Sequence, residues 1–221
     1  MKTKTSRYLI ALAMAGAVAI AYWLLLPHLP ERIPVHFDIH GRPDRWSSPS
    51  SLLWVGPGLM LFEIALFAVL PWLSPRRFGI EEFERTYLNL MLIIVGMNAY
   101  LFAVMAWAAM DPGVPVPNLI IGGIAGLAVL LGNLMGKIRR NFFIGIRTPW
   151  TIASEKVWYA THRFGARSTV AGGLVALVLL VLGAPKWIAT VAVIAGFLLP
   201  VLYSLLHYKR LERRGELDLA A

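Results

Sequence analysis

Six apolar runs, each near the length of a bilayer crossing, constrain this chain more than any other feature. They are Tyr8–Leu26, Ser51–Leu73, Tyr87–Met110, Asn118–Met135, Ser168–Ala184 and Trp187–His207. A helix rises about 1.5 Å per residue, so a run of about 20 residues covers a hydrocarbon core of about 30 Å. Hydrophobic residues make up 58% of the 221 residues and charged residues 15%. A soluble domain is about half apolar and about a quarter charged, so the deviation points to lipid as the solvent. The expectation is an all-α polytopic membrane protein of six transmembrane helices. Short connections leave no room for a separate soluble domain, so residues 1–221 read as a single integral membrane domain without internal repeats. The first run follows Lys2, Lys4 and Arg7, as a signal peptide would. Its apolar stretch is too long for one, and Pro27-His28-Leu29-Pro30 replaces a small-residue cleavage site, so it reads as a retained helix.

Basic residues set the orientation. Of the 21 Lys and Arg, seventeen lie in alternate segments: the N-terminus, the segment with Arg76, Arg77 and Arg85, the segment from Lys137 to Arg167, and the C-terminal tail. The other segments hold four. The positive-inside rule then predicts an N-in/C-in chain, with residues 27–50 extracytoplasmic and residues 137–167 cytoplasmic. The net charge of +9 follows from the same segments, so it does not call for a nucleic acid partner. The absence of cysteine removes disulfides, thiol catalysis and cysteine metal sites.

The loop at 27–50 contains five prolines, which exclude a helix. Ile33, Val35, Phe37 and Ile39 alternate with Pro34, His36 and Asp38, the period of an extended strand with one greasy face. His40-Gly41-Arg42-Pro43-Asp44 has turn chemistry. A bent strand or short hairpin on the membrane surface is expected. His36, Asp38 and His40 share the polar face. Alternate strand residues lie roughly 6.5–7 Å apart, so three of them rarely converge on one ion. A solvated, hydrogen-bonded face is the expectation, with no metal. As a docking surface its candidate residues are His36, Phe37, Asp38, Gly41, Pro43 and Asp44.

The segment 132–167 concentrates basic residues with aromatic ones, Phe142, Phe143 and Trp150. Thr148-Pro149 breaks the chain. An interfacial helix is predicted from Ser154 to about Phe164, with Ser154 as N-cap, Glu155 in the first turn and Gly165 as the stop. Val157, Trp158, Thr161 and Phe164 share one face. A basic loop by itself implies only attraction to anionic lipid. The density of specialised residues exceeds that expectation: Gly145, Arg147, Thr148, Pro149, Trp150, His162, Arg163 and Gly165.

Two polar residues fall mid-span, Glu63 in the second run and Asn98 in the third. A charged acid at the bilayer centre costs about 2.5–3.5 kcal/mol on insertion scales, and no Lys or Arg lies within a span to pair with it. A Glu63–Asn98 hydrogen bond is expected as helix glue, with a polar path as the alternative. Gly122-x3-Gly126 and Gly132-x3-Gly136 permit close helix contact, and Pro57, Pro71 and Pro200 permit kinks.

At its two loops the sequence resembles the SdpI family of bacterial membrane proteins. Leu29-Pro30, Ile33-Pro34-Val35-His36-Phe37 and Gly41-Arg42-Pro43-Asp44 resemble the small uncharacterised domain that often precedes the SdpI module. The module's signature is resembled by Gly132-Asn133, Gly136-Lys137-Ile138-Arg139, Asn141-Phe142-Phe143-Ile144-Gly145-Ile146-Arg147-Thr148-Pro149-Trp150-Thr151, Glu155, Val157-Trp158 and Thr161-His162-Arg163-Phe164-Gly165. Arg140 stands where the family usually has proline, which is expected to loosen the turn. The resemblance implies a bacterial inner-membrane protein that protects its cell from a secreted membrane-active peptide toxin, and in some relatives one that signals to a cytoplasmic repressor. It makes Asn133, Lys137, Asn141, Phe143, Glu155, Trp158 and Phe164 candidate site residues beside those named above. A small transporter or channel using Glu63 and Asn98 is the alternative. No paired carboxylates, no nucleophile and base, and no His-Glu-x-x-His are present, so neither enzyme chemistry nor a cofactor is expected.

Overall fold

The computed structural model describes residues 2–38, 40–75 and 78–218. Ile39 in the strand alternation and Arg76 and Arg77 in the charge count lie outside the described residues. The chain is an all-α polytopic membrane protein. Among the described residues, six helices are long and apolar enough to cross a membrane: Lys4–His28, Ser51–Leu73, Glu81–Met110, Val116–Met135, Glu155–Val181 and Lys186–Arg214. In hydrocarbon a helix satisfies its own backbone donors and acceptors, which is why the apolar runs take this form. Large apolar side chains left exposed, Ile20, Phe62, Val181 and Leu206 among them, are surfaces for lipid.

In chain order, α1 (Lys2–Leu25) ends in a 3-10 turn, Leu26–His28, and strands β1 (Ile33–Phe37) and β2 (Pro43–Ser47) follow. The second span comprises α2 (Ser51–Leu53), a π-helical turn over Trp54–Gly58, and α3 (Leu59–Leu73). Pro57 lies in that turn. It has no N–H to continue the α-helical ladder, so the helix widens there. Then come α4 (Glu84–Met110), α5 (Val116–Met135), the short α6 (Pro149–Ala153), α7 (Glu155–Val181) and α8 (Lys186–Arg214).

The chain divides into two compact units. The first comprises Met1–Val69 and Met91–Gly123. Its core gathers Tyr22, Ile33, Leu52, Phe102 and Ala106, with a second cluster of Val104, Ala108, Val114 and Val116. The Tyr100 hydroxyl donates to the Leu119 carbonyl at 2.8 Å, tying α4 to the start of α5.

The second unit comprises Leu70–Leu90 and Ile124–Ala221. Here α7 and α8 pack backbone to backbone. A Cβ on Gly172 would lie 2.6 Å from the Ala192 carbonyl, and one on Gly196 would lie 2.9 Å from the Ser168 carbonyl. The hydroxyls of Ser168 and Thr169 donate to the Gly196 carbonyl at 3.0 and 3.1 Å. Small residues with a few hydroxyls are how helices associate in lipid, where burial of apolar surface offers no drive. Of the glycine spacings read from the sequence, Gly132 makes such a contact, while a Cβ on Gly126 would meet nothing.

One expectation is corrected. The helix starting at Ser154 does not stop at Gly165 as a separate interfacial element. It runs on to Val181 as one 27-residue helix. Gly165 is needed instead for close packing, since a Cβ there would lie 2.5 Å from the Met135 sulfur. The face of Val157, Trp158 and Thr161 is buried in protein. At about 40 Å, α7 exceeds a hydrocarbon core by about 10 Å, so its first turns extend the span instead of lying flat.

Gly196→Val should force α7 and α8 apart and cost about 2 kcal/mol. Titrating the purified protein with SDS would measure this, and the same midpoint as wild type would contradict the packing described.

Candidate functional site

The hairpin is built from its greasy face. β1 and β2 pair antiparallel, with Ile33 opposite Ser47 and Phe37 opposite Pro43, and irregularities on either side of His36. Ile33 is fully buried. Val35 packs with it against the cluster containing Tyr22 and Phe102, while Phe37 packs against the cluster containing Val104 and Val116. The alternation therefore rests on the helix ends of the first unit, as its period predicted. β2 is open to solvent from Pro43 to Trp46.

Every polar residue named for this loop has a local bond. The Asp38 carboxylate accepts the N–H groups of His40 and Arg42, each at 2.8 Å. The Asp38 N–H donates to the Arg42 carbonyl at 2.9 Å, and Gly41 takes φ +82°, which a side chain disfavours. The Arg42 N–H leads, burial opposes it, and the His40 N–H adds to the lowering. Together the two N–H groups hold the Asp38 carboxyl below its ordinary 3.8. His36 Nδ1 is 2.6 Å from Asp44 Oδ1 across the hairpin, both side chains half exposed. The arrangement is a rigid, solvated, charged loop with the indole of Trp46 49% exposed beside it. Next to its buried base, Ala17, Val18, Ala21, Phe102 and Ala106 line an apolar groove of about 350 Å³ between α1 and α4.

In the second unit the signature residues turn inward on one another. Asn141 is 1% exposed. Its Oδ1 accepts the N–H groups of Phe143 and Ile144, each at 2.8 Å, and its Nδ2 donates to the Arg139 and Ile144 carbonyls. Arg147 donates to the Phe142 carbonyl. Thr148 caps α6 in a reciprocal box with Thr151, and Pro149 occupies the first turn, where its missing N–H costs nothing. Trp150 Nε1 donates to Ser204 Oγ on α8 at 2.8 Å. Trp158 Nε1 donates to the Ile138 carbonyl at 2.9 Å.

His162 ties this loop to α7. It is 1% exposed and stacks on Trp158 with ring centroids 4.1 Å apart. Its Nε2 accepts the Ile146 N–H at 3.0 Å and its Nδ1 faces the Trp158 carbonyl at 2.8 Å. The two bonds fit a neutral ring with the proton on Nδ1. Gly145 has φ +109°, and a Cβ there would run into His162 Nε2. Phe164 stacks on Tyr203 with centroids 4.6 Å apart. Arg140 does not loosen the turn. Its guanidinium donates to the Ile152 carbonyl at 3.1 Å, meets Glu155 at 3.3 Å and lies over the Phe78 ring. Other named residues remain on the outside: Asn133, Lys137, Gly145, Arg147, Pro149, Glu155 and Arg163 are exposed.

Sequence reasoning missed two partners. Ser204 receives Trp150. Asp218 accepts the Ser154 hydroxyl and the Lys156 N–H, the latter at 3.1 Å, at the N-terminus of α7. The exposed helix start was legible as an anion site. Which acid fills it was not, because Asp218 is 64 residues away.

Glu63 on α3 and Asn98 on α4 face each other in the first unit. The two side chains interact, while Glu63 Oε2 and Asn98 Nδ2 are buried without a hydrogen-bond partner.

Residues 137–204 match the SdpI/YfhL protein family, and residues 9–61 match a domain of unknown function, DUF1648. The 137–204 segment is an SdpI/YfhL module. It starts at Lys137 and takes in α6, α7 and part of α8, while the hairpin falls in the DUF1648 match. The chain is also similar to Immunity protein SdpI of Bacillus subtilis (strain 168), with 28% identity over 159 residues, 71% of this chain and 72% of that protein. No solved structure matches significantly.

Two outcomes check these sites. His162→Ala should destabilise the SdpI module by about 3 kcal/mol, from lost ring packing and two orphaned backbone groups, whereas exposed Arg163→Ala should stay within about 0.5 kcal/mol. SDS titration compares them, and equal effects would refute the inward role. Asp38→Ala should abolish hydrogen-exchange protection of the His40 and Arg42 amides. Because the Asp38 pKa is lowered, that protection should persist above about pH 4 and fade only as pH drops through the folded-state value.

Proposed function

We propose that this chain is an immunity protein that guards the bacterial inner membrane against a secreted, membrane-active peptide. The similarity to Immunity protein SdpI over 71% of the chain carries the reading. The hairpin supports where recognition occurs. Membrane-active peptides are amphipathic, with one charged and one apolar face. The hairpin offers the polar side chains of His36, Asp38 and Asp44 beside exposed Trp46, and the apolar groove between α1 and α4 adjoins its base. A peptide held there would lay its polar face on the hairpin and its apolar face against α1. The 17-to-4 division of basic residues supports placing the hairpin outside and the SdpI loop inside. Coupling to a cytoplasmic repressor would then use the exposed Lys137 and Arg163.

The test is expression in a strain sensitive to a panel of membrane-active peptides. Wild type should raise survival, and a variant with Asp44→Ala and Trp46→Ala should lose that gain while inserting normally. Survival equal to empty vector across the panel would overturn the reading.

A second reading, a small transporter or channel, rests on the unpartnered Glu63 Oε2 and Asn98 Nδ2. It requires proteoliposome flux that Glu63→Gln abolishes. Protection unaffected by Glu63→Gln would count against it.

A further inference from the structure

We infer that the groove between the end of α5 and α7 is a binding site for one anionic phospholipid. The groove has a volume of about 630 Å³, within the ~300–1,000 Å³ range of small-molecule sites. Its two ends differ in chemistry. At one end are Asn133, Lys137 and Arg167; along the rest run Val170, Ala171 and Leu174 of α7. Residues 167, 170, 171 and 174 repeat at three and four, so they occupy one stripe of the helix. From Arg167 to Leu174 the stripe descends about 10 Å along the helix. A cationic mouth over an apolar trough matches a phosphate headgroup with an acyl chain below it.

The floor is made by small residues. Gly132 lies near the end of α5 and Gly136 just past it, with Ala166 opposite. A Cβ on Gly132 would lie 2.8 Å from a Val170 methyl, so the helices touch there. A Cβ on Gly136 would be 3.7 Å from the Ala166 methyl, an ordinary contact. The helices thus separate between these positions, towards the cationic end.

The charges at the mouth are available. Many basic neighbours are committed: Arg139 to Glu82 and Tyr159, Arg140 to Glu155, Lys156 to the Glu216 carbonyl, and Lys209 to Glu212. Lys137 and Arg167 have no ion pair or side-chain hydrogen bond among the described residues, and both are exposed. The carbonyl end of α5 repels an anion. The Lys137 and Ile138 N–H groups cover two of those carbonyls, at Leu134 and Met135, and the two cations outweigh the remainder. Diffuse attraction of a basic loop to anionic lipid needs no groove. The trough beneath the two cations makes this a site for one molecule.

The inference is independent of the immunity reading. The experiment is native mass spectrometry of the full chain, titrated with phosphatidylglycerol, with phosphatidylcholine of the same acyl chains, and with inorganic phosphate. Phosphatidylglycerol should be retained as one tight adduct and phosphatidylcholine should not. Lys137→Gln with Arg167→Gln should weaken phosphatidylglycerol by about 30-fold, from a fivefold effect per surface cation. Lys209→Gln with Arg210→Gln removes the same charge elsewhere and should change it little. Gly136→Leu keeps all charge, fills the groove beside the two cations and should also abolish the adduct, with an unchanged SDS midpoint as the folding control. Equal retention of both lipids would overturn the inference, and so would equal losses in the two charge variants. Inorganic phosphate bound as tightly as the lipid would likewise overturn it, by showing a free-anion site.

Discussion

A backbone N–H or C=O left unbonded in hydrocarbon costs several kcal/mol, and that cost organises this chain. Its apolar segments meet it as helices. The two irregular segments lie outside the spans and bond much of their backbone with side chains. Asp38 accepts two N–H groups of its turn, and Asn141 binds four backbone groups of its loop. His162 accepts a third loop amide, at Ile146. Residues that read as recognition chemistry are therefore first the solution of a backbone problem.

This changes which residues are free to act. In the SdpI module, Asn141, Thr148, Trp150, Trp158 and His162 bond within the unit, so their chemistry does not reach a partner. Asn133, Lys137, Arg147, Glu155, Arg163 and Arg167 are among the residues that face outward. The hairpin is the reverse case. Its apolar residues anchor it, and His36, Asp44 and Trp46 stay open. An exposed pair such as His36–Asp44 contributes about 0–1 kcal/mol to stability, so it is more significant as a charged surface than as a brace.

Local patterns that depend on near neighbours were legible. The period of two at Ile33–Phe37 became a strand with its greasy face down, and Ser154 and Glu155 began a helix. Contacts between distant residues were not. Gly165 looked like a helix stop because glycine ends many helices. Only the approach of Met135 and Pro200 reveals that it serves packing. Glu63 and Asn98 do meet across α3 and α4, yet their spacing in the sequence could not show that one polar atom of each is left without a partner.

The six spans, and the side of the membrane each loop should occupy, follow from hydropathy and basic charge alone, because transfer into lipid depends on each segment's composition and length. The hydroxyls that clasp α7 to α8, the histidine that holds the loop, and the groove beneath Lys137 and Arg167 were decided only by tertiary structure. They arise where helices distant in sequence meet, and helix association in lipid depends on shape and hydrogen bonds, which hydropathy does not record.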